Sequence, residues 1–264
     1  MGDITLRALE ILGAVDLLAT EDSRVTQKLL HNYSLSPKLV SYHEHNEGEM
    51  RPVLLAALAA GQAVGLVSDA GTPLVSDPGY KLVEATAAAG HPVYSIPGAS
   101  AVLTALTASG LPTNRFMFAG FMPPKSAARR EELASLAAIP TTLIFFESPQ
   151  RLADSLKDMA ELMGPRPAVV ARELTKLFEE VRRGTLPQLA AHYAEAGAPK
   201  GEIVIVIGPP DTTTMAAQDV DALLVAELAT RTLRDAVAVV TAQTGKPKRD
   251  VYARAVALTQ DRHG

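Results

Sequence analysis

Short apolar runs alternate with helical patterns from the start of this chain, and glycines close the helices. Ile4 to Leu12 carries apolar residues at helical spacing and stops at Gly13, and Val15 to Thr20 is an apolar run of strand length. Ser23 is placed to N-cap a helix through Asn32, Lys38 to Tyr42 is extended, Glu47 to Ala60 is helical up to Gly61, and Ala63 to Ser68 is extended again. Tyr80 to Ala89 reads as a helix ended by Gly90, Pro92 to Ile96 as a strand, and Ala99 to Ala108 as a helix. Parallel strands can be joined only by crossover connections, so this alternation predicts a mostly parallel sheet with helices on both faces.

The pattern changes beyond Pro112. Strand Phe116 to Phe121, helix Ser126 to Leu136, strand Thr142 to Phe146 and helix Pro149 to Met163 come first. Two extended runs, Ala168 to Glu173 and Glu179 to Gly184, are close enough to form a hairpin, and helix Leu186 to Ala196 and strand Glu202 to Ile207 follow. A hairpin among crossovers makes the second sheet mixed. Pro209 and Pro210 mark a linker into a polar stretch, 211–214, and three short helical patterns. The expected fold is α/β in two domains, residues 1–113 with a mostly parallel sheet and 114–210 with a mixed sheet, followed by a helical appendix over 211–264.

Composition excludes several chemistries. Cysteine is absent, which rules out disulfides, thiolate metal sites and a cysteine nucleophile. His43 and His45 flank Glu44, yet no third ligand is near in sequence, and no metal is expected. There is no apolar run of about 20 residues and no signal-peptide pattern, so no membrane partner and a cytoplasmic location are expected. The net charge of −4 is uneven: residues 231–264 hold seven Lys and Arg against three Asp, a balance of +4 that leaves −8 on the rest. An acidic body with a basic tail suits a polyanion partner, because phosphate contacts depend on local charge; a solvated helical tail accounts for the charge equally well.

Ligands of open α/β sheets bind beyond the carboxyl ends of the strands, which directs attention to the loops there. Val67 to Gly79, VSDAGTPLVSDPG, is a shaped loop offering Ser68, Asp69, Thr72 and Ser76 as hydrogen-bonding groups. Ile96 to Ala101, IPGASA, has small residues at Gly98, Ala99 and Ser100 that let a flat ligand approach the backbone. Neither has the spacing of a dinucleotide fingerprint or a P-loop. FFESP, Phe145 to Pro149, sets Glu147 and Ser148 after a strand, where they could bind a ligand or N-cap the next helix. Glu21 to Arg24 and Arg172 to Lys176 are further charge clusters at strand ends.

With GDITLRAL from Gly2, EDSRVTQKLL from Glu21, SYHEHNE from Ser41, the two loops just quoted, FFESP and ARELTK from Ala171, the chain resembles the bacterial ribosomal RNA small subunit methyltransferase I family of the tetrapyrrole methylase superfamily. The resemblance implies a two-domain tetrapyrrole-methylase-like (class III methyltransferase) fold, S-adenosylmethionine as cofactor, a homodimer, and 2′-O-methylation of a cytidine in 16S ribosomal RNA of the small subunit. It implies that Asp69, Ala70, Gly71, Thr72 and Pro73 shape the cofactor cleft with Gly98, Ala99 and Ser100, and that Phe145, Glu147 and Ser148 approach from the second domain. Asp22, Glu21, Glu147 and Glu173 are the candidates for a base that takes the ribose proton. Family members begin with an apolar strand and a Pro- and Gly-containing turn, whereas only Met1 precedes Gly2 here. That strand is therefore expected to be missing from this sequence, and the natural polypeptide to be longer. Two other readings stand beside this one: a tetrapyrrole C-methyltransferase, and a non-catalytic RNA-binding assembly factor.

Overall fold

A computed structural model describes residues 1–210, 212–244 and 246–260. They fall into two compact units: Met1–Ala137 with Thr141–Gly208, and Pro209–Gly264 with Ala138–Pro140.

The first unit begins with α1 (Leu6–Ala14), β1 (Leu17–Thr20), α2 (Ser23–Asn32), β2 (Lys38–Ser41), α3 (Glu47–Ala59), β3 (Val64–Val67), α4 (Tyr80–Ala88) and α5 (Ala101–Ser109). The strands form a parallel sheet in the order β2-β1-β3. Helices cover both faces, as the alternation predicts. Leu17 and Ala19 pack with Leu54 and Leu82 on one side, and Leu18 packs with Leu12 and Leu30 on the other. The caps refine the boundaries. The Thr5 hydroxyl accepts from the Ala8 amide and starts α1 at Leu6, and the helix continues through Gly13. Asp22, not Ser23, caps α2, because its carboxylate accepts from the Arg24 amide.

The expected strand Pro92–Ile96 does not form. Residues 91–100 carry no ladder, and Val93 and Tyr94 are exposed. Extended backbone becomes a strand only where a neighbour takes its amides, and among the described residues β3 is paired on one side alone, by β1.

The second sheet comprises β4 (Phe116–Phe121), β5 (Thr142–Glu147), β6 (Pro167–Arg172), β7 (Glu180–Thr185) and β8 (Ile203–Ile207), in the order β4-β5-β8-β6-β7. Only β4 and β5 run parallel, and β6 and β7 form the expected hairpin. The interleaved helices are α6 (Ser126–Ala137), α7 (Leu152–Met163) after a 3-10 turn at Pro149–Arg151, and α8 (Leu186–Ala196). α5 covers this second sheet, with Val102, Ala105 and Leu106 packed against Ile144, Val169, Ala171, Val204 and Val206. A domain boundary at residue 113 therefore separates α5 from the surface it buries. Arg183 of β7 reinforces the contact by donating to the carbonyls of Ala108 and Ser109 at the carboxyl end of α5.

The second unit contains α9 (Thr212–Leu228), α10 (Leu233–Thr244) and α11 (Lys248–Gln260), the three helices expected of the appendix. They share a core of Val220, Leu224, Val237, Val240, Val251 and Ala255. Asp211, Gly245 and 261–264, including Arg262 of the basic tail, lie outside the described residues. Among the described residues no helix is long and apolar enough to cross a membrane.

Candidate active site

In the β1–β3 ladder Thr20 stands opposite Val67, so the loops that follow these parallel strands emerge side by side. Glu21 and Asp22 thereby meet Ser68 and Asp69. The Asp69 carboxylate accepts from the Asp22 amide at 3.1 Å. The Thr72 hydroxyl donates to the Ala99 carbonyl at 3.0 Å, and a Cβ on Gly71 would stand 4.0 Å from that carbonyl oxygen. The two loops singled out in the sequence are thus joined. Gly98 and Ala99 are exposed, with open space where a Gly98 side chain would project. Ser100 N-caps α5 through the Leu103 amide at 3.4 Å.

The long loop is held in costly backbone conformations. Leu74 (φ 72°) and Ser76 (φ 63°) are left-handed without being glycines. Gly79, at φ 127°, has no room for a side chain, since a Cβ would come within 2.6 Å of Leu66. Ser76 lies beside Gly120, where the β4–β5 register shifts. A second loop, after β6, shows the same strain at Glu173 (φ 49°) and Thr175 (φ 63°). Glu173 accepts from Lys176 at 2.8 Å and from the Glu202 amide at 3.0 Å. Gly201 permits that approach, because a Cβ there would collide with the Glu173 side chain. Strain concentrated in two polar loops at strand ends is a recurrent mark of ligand sites.

The four candidate bases separate on electrostatic grounds. Burial raises the Glu21 carboxyl above the usual carboxylate range, and Asp69 and Asp77 raise it further. Asp77 is raised too, by burial and by Asp69 and Glu202, against a hydrogen bond from Ser68. Asp22 is held down to about 2 by hydrogen bonds from the Arg24 side chain and amide. Glu173 is lowered by Lys176 and the Glu202 amide. Glu147 is almost fully buried: it accepts from Ser155 at 2.5 Å and from the Ser148 amide at 2.8 Å, and pairs with Arg151 at 3.2 Å. Its oxygens are thus occupied in fastening the start of α7.

Phe145 is fully buried, and strand alternation sends it to the face turned away from α5. Phe146 lies on the α5 side, in an aromatic group with Phe118 (4.7 Å) and Phe121 (5.5 Å). The sequence singles out neither this group nor Asp77. The repeated Ser-Asp of the long loop is the only hint of Asp77.

Residues 1–190 match the family of Tetrapyrrole (Corrin/Porphyrin) Methylases. The chain belongs to the tetrapyrrole methylase family. A second match, over residues 214–259, is to the RsmI C-terminal HTH domain and spans the three helices of the second unit almost completely. This tetrapyrrole methylase is 52% identical to ribosomal RNA small subunit methyltransferase I of Mesorhizobium japonicum, over 98% of this chain and 88% of that protein. It is 44% identical to the protein of that name from Micromonospora olivasterospora, over 100% and 85%, and 42% identical to the one from Synechocystis sp., over 99% and 95%. The family and the fold make it a methyltransferase. Solved structures share the fold at low identity. Cobalt precorrin-4 methyltransferase, a cobalamin biosynthetic enzyme, superimposes with a TM-score of 0.58 at 20% identity, covering 78% of this chain and 89% of that one. Uroporphyrin-III-C-methyltransferase from Thermus thermophilus gives 0.54 at 22%, covering 78% and 88%.

Proposed function

We propose that this tetrapyrrole methylase methylates a ribose 2′-oxygen of a cytidine in 16S ribosomal RNA, using S-adenosylmethionine, as a cytoplasmic homodimer. The observation that carries the reading is the 52% identity, over 98% of the chain, to a relative named for ribosomal RNA methylation. The appended helix-turn-helix match favours it over a tetrapyrrole substrate, which would need no such unit. Leu177 and Phe178, exposed at 89% and 67% on the strained loop after β6, support self-association.

The residues present suit the cofactor. Gly98 and Ala99 leave an open backbone surface for a flat group, Asp69 to Pro73 border it, and the carboxylates of Glu21, Asp69 and Asp77 favour a cationic ligand. When bound, S-adenosylmethionine supplies a methyl carbon attached to a cationic sulfur. The protein's part is to align the ribose hydroxyl, exclude water and take the proton. Glu21 is the assigned acceptor, because its raised affinity for a proton suits it to that task better than Asp22 or Glu173, both lowered by cationic or amide partners. Phe146, with Phe118 and Phe121, replaces Phe145 as the apolar surface offered by the second sheet.

The test is transfer of labelled methyl from S-adenosylmethionine to small subunits lacking the modification, followed by mapping of the modified ribose. Methylation of a base, or of a tetrapyrrole in place of RNA, would overturn the proposal. Ala99→Trp adds bulk at an exposed site and is expected to abolish cofactor binding in calorimetry while leaving the melting temperature unchanged. Unaltered affinity would remove the 98–100 turn from the site.

A further inference from the structure

Four basic residues of the second unit divide into two groups that charge alone does not distinguish. Arg254 of α11 is held by Asp221 of α9 at 2.6 Å and 2.5 Å, and Arg231 pairs with Glu227 at 2.6 Å. These arginines serve the unit itself, fastening α11 to α9 and closing the last turn of α9. Lys248 and Arg249 are different. Both are exposed, and Arg249 has 95% of its side chain in water. Among the described residues its ion pair is with its neighbour Asp250, at 3.3 Å and itself exposed, a contact of the kind that holds little in solution.

Tyr252 is half exposed, one helical turn beyond this pair. Positions 248 and 249 stand four and three residues before 252, so the two cations and the ring neighbour one another on the surface of α11, beside the stripe of Val251 and Ala255 that faces the core. An aromatic ring next to two cations in the first turns of α11, half exposed and outside the buried cluster of this unit, is free to meet a ligand. It matches a chain of phosphates carrying flat bases. The conformation of the nucleic acid follows from groove geometry. An A-form duplex has a major groove too deep and narrow for a helix, and its bases are stacked on one another. A base can reach Tyr252 only where the strand is unpaired.

We propose that Lys248, Arg249 and Tyr252 form a binding surface for single-stranded RNA, the two cations on phosphates and the tyrosine ring stacked on an unpaired base. The assignment rests on the reading that RNA is the substrate. It goes beyond that reading in naming the face, the strandedness and the stacking residue.

The full chain is to be titrated against a fluorescent single-stranded RNA oligonucleotide and against the same sequence as a duplex, at several KCl concentrations. Tyr252→Ala should weaken single-strand binding by roughly tenfold or more, while Tyr252→Phe retains it. Lys248→Ala and Arg249→Ala should each flatten the slope of log affinity against log salt by about 0.7. Equal affinity for the duplex, or an unchanged affinity in Tyr252→Ala, overturns the proposal. Methyl transfer to small subunits, run with the same variants, separates this proposal from the functional reading. Methylation by the wild type with KM unchanged in all variants overturns the surface and leaves the function standing. Loss of RNA binding in the variants, with no methylation by the wild type, supports the surface and overturns the function. A wild type that neither binds nor methylates RNA overturns both.

Discussion

Acids lie in both halves of the first unit, and they live in opposite circumstances. In the second half, Asp158 accepts from Arg129 at 2.6 Å, Arg130 at 3.0 Å and Ser126 at 3.0 Å, and Glu147 is enclosed by Ser155, Ser148 and Arg151. Burial raises the Asp158 carboxyl, but these partners outweigh it and hold the group ionised. At the end of the first sheet Glu21 and Asp77 are raised by burial and by other acids. A carboxylate matched by cations stabilises the fold, whereas one crowded by its own kind retains affinity for a proton or a cationic ligand. The contrast predicts that acids of the second half govern stability and those of the first sheet govern chemistry.

The sharpest test is Glu21→Gln. Loss of a proton acceptor is expected to lower methyl transfer by about 10²–10⁴-fold. The wild type should lose kcat/KM as pH falls through the raised Glu21 value, and the variant should lack that limb. Stability should respond in the opposite sense. A carboxyl raised in the fold contributes stability below its ordinary value of 4.5 and loses it as pH rises through the folded value. At pH 7 the neutral glutamine should therefore be no less stable than the wild type, with any gain fading in acid. A variant that is active and unstable at pH 7 breaks the comparison.

Next in size is Asp158→Ala, which leaves the buried Arg129 guanidinium, 4% exposed, without a carboxylate. Removing one partner of a buried pair costs about 3–5 kcal/mol, visible as a lower midpoint in urea unfolding. Activity per folded molecule should be retained. The smallest effect is expected of Ser100→Ala, which removes a 3.4 Å cap from α5 inside the proposed cofactor turn. Stability should fall by about 1 kcal/mol at most, with little change in cofactor affinity, because the neighbouring backbone still presents the small-residue surface. A tenfold loss of affinity would assign the hydroxyl to the ligand instead of the helix.

Much of this was legible in the residues. The glycine stops and apolar runs located nearly every helix and strand, and the loops 69–73 and 98–100 met as expected through Thr72 and Ala99. Two elements departed from that reading. Asp22 took the cap expected of Ser23 because its side chain reaches back to the Arg24 amide. The run 92–96 forms no ladder, and its Val93 and Tyr94 are exposed. Phe145 is fully buried on the face turned away from α5, while Phe146 joins the aromatic group.

Local pattern by itself determined the element types, the parallel first sheet, the mixed second sheet and the helical appendix, because periodicity, turn chemistry and strand spacing act over a few residues. Only the tertiary structure decided that α5 belongs to the second sheet, that Glu21 differs from Asp22, Glu147 and Glu173, and that Arg254 is an internal clamp while Arg249 faces water. The place of α5, the Asp221 clamp and the acids around Glu21 depend on partners distant in sequence, and Asp22, Glu173 and Arg249 on how the fold turns them toward near neighbours or water. Burial and the sign of a neighbouring charge, which set a side chain's chemistry, exist only once the chain has brought those partners together.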